Sequence, residues 1–170
     1  MKICSDQARA FTLFIALALL RADIAEGADF IGRVVNVHDG DTLSVLVDYQ
    51  KVRVRLVQID APELGQAFGR RSKESLASIC ATQTAFVNGT GKDRYGRQLG
   101  WVTCNGIEAN SEQVRRGMAW AFVRYAPKDS PLHRLQAQAK LEQRGLWAEA
   151  SATPPWEWRA QQRGQRSTRF

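Results

Sequence analysis

From Leu43 to Asp48, and again from Val52 to Ile59, apolar side chains recur at every second residue. That period belongs to strands with one buried face, and a turn at Tyr49-Gln50 folds the two runs into an antiparallel hairpin. The hairpin constrains the fold because a slip of one residue would turn its valines and leucines to water. A turn centred on Tyr49-Gln50 sets Asp41 opposite Gln58, one or two residues from Asp60, with Glu63 just past the strand end.

Two acidic segments bracket the hairpin: Asp39-Gly40-Asp41-Thr42 before it, and Arg55-Leu56-Val57-Gln58-Ile59-Asp60-Ala61-Pro62-Glu63 across its end. Taken singly each has a plain reading. Asp and Gly suit tight turns, and Pro-Glu after a strand is ordinary loop chemistry. Arg55 inside an apolar strand is less ordinary, because an unpaired guanidinium there costs several kcal/mol in effective desolvation; a salt bridge to Asp41 or Asp60 would account for it. Together they bring three carboxylates and one arginine to a single place. Such a cluster repels itself unless a cation or an anionic substrate joins it.

A second charged loop, Lys92-Asp93-Arg94-Tyr95-Gly96-Arg97, precedes a strand-like Leu99 to Cys104. It fits a solvated turn. It also fits phosphate binding, since arginine is planar and bidentate toward phosphate oxygens whereas lysine acts as a point charge.

On these residues the chain resembles the staphylococcal-type thermonuclease family, small calcium-dependent phosphodiesterases built on an OB-fold barrel. The matching stretches are Asp39 to Thr42, Arg55 to Glu63, Asp93 to Arg97, and Asn110 to Gly117 followed by Met118 to Tyr125. They keep the family's order from about residue 30 to residue 149. The resemblance implies that Asp41 and Asp60 ligate calcium, with the backbone carbonyl of Ala61 as the third protein ligand. It implies that Glu63 activates or positions the attacking water, that Arg55 and Arg97 grip the scissile phosphate, and that Arg94, Tyr95 and Tyr125 line the nucleotide pocket. Ala61 stands where the best-known members carry threonine, with little consequence for a carbonyl ligand. Val123 replaces an aromatic residue that helps hold the base, a loss of about 1–3 kcal/mol where such stacking matters.

The remaining elements give an α+β chain without internal repeats. Strands are expected at Phe30 to Val37, Thr82 to Thr90 and Leu99 to Cys104, beside the hairpin pair. A helix is expected over Gly69 to Cys80, where Leu76, Ile79 and Cys80 share a face. Asn110 reads as the cap of a short helix ending at Gly117, and Ser130-Pro131 opens a last helix that stops at Gly145. The expectation is a five-stranded OB-fold Greek-key β-barrel with about three α-helices, a shape suited to nucleic acids.

Three segments follow from composition. Residues 1–27 read as a secretory signal peptide: Lys2 and Arg9 precede an apolar run from Ala10 to Leu20, too short to span a bilayer, and Ala25-Glu26-Gly27 fits a cleavage site. An N-terminal anchor or a helix packed on the domain is the alternative. Residues 28–150 form the barrel domain. Residues 151–170 are a basic tail in which Trp156 and Trp158 are expected to pack back on the barrel and the last ten residues to be disordered. Export places the protein outside the cell or in the periplasm, with no stable membrane insertion once the leader is removed. There Cys80 and Cys104 can pair, although two buried thiols fit the sequence as well. Isolated His38 and His133 read as structural or solvated.

The chain carries 24 Lys+Arg against 17 Asp+Glu, a net charge of +7. That balance favours polyanions, and binding to them should weaken with salt. The expectation is an exported calcium-dependent nuclease acting on DNA and RNA with little sequence preference and leaving 3′-phosphates. The rival expectation is a nucleic-acid-binding barrel that has lost catalysis.

Overall fold

The structure is a computed structural model that describes residues 27–149 and 151–167. The leader reading and the last three residues of the tail lie outside the described residues.

Strands β1 (Phe30–Val37), β2 (Thr42–Val47) and β3 (Gln50–Leu56) form an antiparallel meander. The short β4 (Ile59–Asp60) follows, then helix α1 (Gly69–Cys80), β5 (Thr84–Lys92), β6 (Gln98–Cys104), β7 (Ile107–Glu108), helix α2 (Ala109–Arg115) and β8 (Trp120–Ala121). Helix α3 (Pro131–Leu141), a 3₁₀ turn at Gly145–Ala148 and helix α4 (Pro155–Ser167) complete the described chain. The sheet order is β3-β2-β1-β5-β6-β7, and a parallel pairing of β3 with β6 closes β1, β2, β3, β5 and β6 into a five-stranded barrel. Four α-helices are described rather than about three; the additional one is α4, in the segment expected to end in disorder.

The barrel interior follows from the alternation. Leu43, Val45, Val54, Leu56, Val87 and Val102 are fully buried, and α1 adds Leu76, Ile79 and Cys80. Cys80 and Cys104 form a disulfide that ties the end of α1 to the end of β6. Closing this loop removes about 3 kcal/mol of unfolded-chain freedom in the entropy account.

The hairpin register differs from the one expected. Thr42 pairs with Arg55 and Val47 with Gln50, so the turn is Asp48-Tyr49 and the register is moved by two residues. Both turn residues are left-handed, at φ 45° and 63°, the signature of the primed turns whose twist suits a hairpin. Two residues beyond the end of β3, Gln58 at φ 61° ends the run, and Ile59–Asp60 pairs instead with Trp120–Ala121. This break, and not continued pairing in the hairpin, returns Asp60 toward Asp41.

Asn110 is likewise not the cap of α2. Glu108 caps it, its carboxylate accepting from the amides of Asn110 and Ser111. Asn110 is buried and ties β6 to the chain just past β3: it accepts from the Val102 amide and donates to the carbonyls of Val57 and Gly100. The run Trp120 to Tyr125 is a strand only at Trp120–Ala121, and α3 ends at Leu141, ahead of Gly145.

Candidate active site

Asp41 lies on a tight loop at the mouth of the barrel. Its amide donates to Asp39 Oδ1 at 3.0 Å, and the amides of His38 and Asp39 donate to the Thr42 carbonyl. Gly40 is required here: a Cβ on it would meet Ser72 Oγ at 1.8 Å and Ala61 Cβ at 2.8 Å. The loop is held from behind by Gln113 of α2, which donates to the Gly40 carbonyl at 2.7 Å and the Ser72 carbonyl at 3.0 Å. Asp41 is thereby fixed with its side chain turned in. Its Oδ2 accepts from the Ala61 amide at 2.7 Å and its Oδ1 from the Thr42 hydroxyl at 3.0 Å.

Arg55 joins the two aspartates. One terminal nitrogen lies 3.1 Å from Asp41 Oδ2 and 3.0 Å from Asp60 Oδ1. The other donates to the carbonyls of Leu56 at 2.7 Å and Ile59 at 3.0 Å. A guanidinium has five N–H groups, so these four contacts commit it almost wholly to the protein. The two carbonyls are those freed where the chain leaves β3, which explains why an arginine rather than a lysine stands at the strand end.

Asp41 and Asp60 are almost fully buried, at 5% and 1% exposure. Burial pushes the Asp41 carboxyl up to about 7, against the pull of Arg55, and repulsion from Asp39 and Asp60 adds to the rise. Two carboxylates and the adjoining Ala61 backbone make an all-oxygen donor set of the hard kind that calcium takes. The residues therefore fit that ion. Among the described residues no group of three or more His, Cys, Asp or Glu side chains is arranged as a metal site, so backbone oxygen and water would complete the shell.

Glu63 stands on the loop between β4 and α1, with its side chain 38% exposed. The loop is pinned at both ends. Gln66 returns its amide to the Glu63 carbonyl at 2.8 Å and its side-chain oxygen to the Glu63 amide at 3.2 Å. Gly69 packs so close that a Cβ would lie 1.9 Å from the Glu63 carbonyl oxygen.

The remaining expected residues make no hydrogen bond or ion pair with Asp41, Asp60 or Glu63 among the described residues. Arg97 donates from Nε to Asp93 Oδ2 at 2.7 Å, and Asp93 Oδ1 accepts from the amides of Tyr95 and Arg97. Although burial opposes it, these bonds hold the Asp93 carboxyl below its usual value. Arg97, Tyr95 and Gly96 line a cavity of about 500 Å³ together with Arg53 of β3, two residues from Arg55 on the same strand face. Arg94 lies over the Tyr95 ring at 4.8 Å. Tyr125 is exposed and meets Phe122 edge-on at 5.1 Å.

One residue at the site was not anticipated from the sequence. Arg159 of α4 lies 2.7 Å from Glu63 Oε1 and 2.7 Å from Asp60 Oδ2, with a second contact to Asp60 Oδ1 at 3.3 Å. Desolvation opposes its charge, but these carboxylates push its pKa further up. Pro154-Pro155 followed by Trp-x-x-Arg carried the signal: proline at a helix start, then Trp156 and Arg159 on one helical face. Trp156 does pack back, stacked on Phe122 at 5.2 Å. What packs the tryptophan delivers the arginine.

The closed five-stranded barrel with helices packed about it defines the class, an OB-like α+β barrel, with arginine-braced carboxylates buried at its rim. Comparison with known proteins makes the class definite. The family described as "Staphylococcal nuclease homologue" matches residues 53–149. A protein named "Micrococcal nuclease" from Shigella flexneri is 40% identical over 154 residues, 85% of this chain and 88% of the relative. An "Uncharacterized endonuclease" from Escherichia coli O157:H7 is 46% identical over 133 residues, 78% and 86% of the two chains. "Protein ParB" from Escherichia coli is 41% identical over 161 residues, 89% of this chain and 91% of the relative. The chain belongs to the staphylococcal nuclease family.

Proposed function

We propose that the protein is an exported, calcium-dependent nuclease that hydrolyses phosphodiester bonds in DNA and RNA with little sequence specificity, leaving 3′-phosphates. The observation that carries this reading is the convergence of Asp41, Asp60, Glu63 and Arg55 at one rim of the barrel. A module that only binds nucleic acid gains nothing from buried acids facing a phosphate, and for that reason the inactive-barrel alternative is not favoured.

Asp41, Asp60 and the Ala61 carbonyl would hold the calcium ion, which when bound supplies Lewis acidity and a template for nucleophile and phosphate. Glu63, half-exposed and free of the deep burial of the aspartates, would take a proton from an attacking water. Arg55 holds both aspartates in position, and any contact it makes with phosphate draws on its remaining N–H or displaces a protein acceptor. Arg97, oriented by Asp93, offers its fork to charge gathering on the phosphate oxygens. Arg94, Tyr95 and Tyr125 offer rings and charge to the nucleotides on either side. The disulfide supports export, since such bonds persist in oxidising compartments. No described helix is long and apolar enough to cross a membrane.

The test is incubation of the purified protein with plasmid DNA and with RNA, in calcium or in chelator, with end-group analysis of the products. Cleavage in calcium that stops in chelator and yields 3′-phosphate termini is the expected result. Binding without cleavage would favour the inactive barrel.

A further inference from the structure

Arg159 has no part in the scheme above, yet it touches two of the three carboxylates of the site. It places one nitrogen against Asp60 Oδ2 and the other against Glu63 Oε1, at 2.7 Å each. With Arg55 on Asp60 Oδ1, both oxygens of that buried carboxylate already carry a guanidinium. With Asp41, Asp60 and Glu63 all ionised, as a bound cation requires, three carboxylates face two guanidiniums, which leaves a single negative charge. A divalent cation added to both arginines would reverse that sign, whereas one taking the place of Arg159 would bring the cluster to neutrality.

We infer that Arg159 is the site's own counter-ion, holding Asp60 and Glu63 in the cation-free protein and giving them up when a divalent cation binds, so that docking of α4 on the site and cation binding oppose each other. The inference rests on the calcium reading given above. It concerns a residue of this chain that neither the family motifs nor the hairpin places at the site.

The construction of α4 suits a part that can be released. Its start is fastened well: Trp156 stacks on Phe122 at 5.2 Å and meets Trp120 edge-on at 6.5 Å, and Gln66 donates to the Thr153 carbonyl at 2.5 Å. Trp158 lies over Gly65, on the loop that carries Glu63, with its ring 3.8 Å from where a Cβ would stand. Beyond these anchors the helix is polar and largely exposed, and Arg159 itself retains 34% side-chain exposure. Loss of the Arg159 contacts therefore leaves the packing at the start of α4 in place. Because Trp158 neighbours the Glu63 loop, the exchange also has a built-in optical reporter.

The experiment is calcium titration of the full protein without nucleic acid, by calorimetry and by tryptophan fluorescence, for wild type, Arg159→Gln, Arg159→Lys and Arg163→Gln. Arg159→Gln is expected to bind calcium at least about fivefold more tightly, within the usual range for coupled sites. Arg159→Lys, which keeps the charge, should lie nearer wild type, and Arg163→Gln should match it. Calcium should also speed amide exchange over residues 160–165 of the wild type, beyond the anchored start of α4, a measurement that needs no variant. Calcium binding by the wild type with Arg159→Gln no tighter, or weaker, overturns the inference and leaves the calcium reading standing. Absence of binding in every variant overturns the calcium reading itself. Oligonucleotide binding by the same variants, measured separately in chelator, completes the test: unchanged calcium affinity with weakened oligonucleotide binding in Arg159→Gln would make Arg159 a substrate contact, and would also overturn the inference.

Discussion

The Asp41 carboxylate accepts a hydrogen bond from the Ala61 amide at 2.7 Å, joining two loops twenty residues apart in sequence. One oxygen thus fixes the distance between the candidate cation ligands. Asp41 is part of the framework as well as of the site, which separates it from Asp60, whose side-chain bonds among the described residues go to arginines alone.

Asp41→Ala should therefore destabilise the metal-free protein by about 1–3 kcal/mol, because a buried amide loses its acceptor. Both Asp41→Ala and Asp60→Ala should weaken calcium affinity, with activity partly rescued by excess calcium. Zinc should substitute poorly at an all-oxygen site. Melting curves in chelator together with activity across a calcium series check the two halves separately. Full activity of the wild type in chelator would remove the metal from the mechanism.

Glu63→Gln should keep the fold and the affinity for nucleic acid while lowering turnover by about 10²–10⁴, the usual cost of losing a general base. The amide preserves the shape of a half-exposed side chain but takes no proton. Single-turnover rates on a defined oligonucleotide are the measurement, and a rate near wild type would sink the assignment.

Asp93 governs a pH dependence. Its folded-state pKa lies below the ordinary 3.8, since the Arg97 side chain and two backbone amides outweigh its burial. The sign is that of an acid favoured in its charged form. Its stabilising share is full above the unfolded value and is lost as the pH falls through the lowered one. Asp93→Asn should thus narrow the gap to wild type in acid and show its whole deficit near neutrality. A gap that is constant with pH would mean that the carboxylate charge does not matter to the loop.

Much of this architecture is written locally. The helix over Gly69 to Cys80 and the strand over Phe30 to Val37 carry their boundaries in their own periodicity. The hairpin shows where local reading stops. Its turn depends on two non-glycine residues at positive φ, Asp48 and Tyr49, which no simple turn rule selects. The convergence of Asp41 with Asp60 was anticipated for a different reason from the one observed, because the break at Gln58 is a tertiary event. Asn110 looked like a cap, since capping and core asparagines have the same composition; only the neighbouring strands tell them apart. Arg159 was hidden in a run of basic residues, where charge suggested solvent and the helical phase with Trp156 suggested otherwise.

The two arginines expected to meet phosphate should respond differently from the basic surface. Arg55→Lys and Arg97→Lys keep a charge and lose the planar fork. Each should reduce the single-turnover rate far more than it weakens binding, because the lost contact strengthens as charge builds in the transition state. Arg55→Lys should also lower the melting temperature, since a lysine cannot reach two carboxylates and the carbonyls of Leu56 and Ile59 together. Arg97 has no such framework duty beyond its pair with Asp93, and its variant should melt closer to wild type. Arg163→Gln, on the exposed length of α4, should lower nucleic-acid affinity and flatten its salt dependence by roughly one unit of slope, with the bond-breaking rate unchanged. Rates and binding constants across a salt series distinguish the cases. Should the lysine variants turn over like wild type and lose only affinity, Arg55 and Arg97 would be docking residues, and catalysis would have to rest on Glu63 and the aspartates alone.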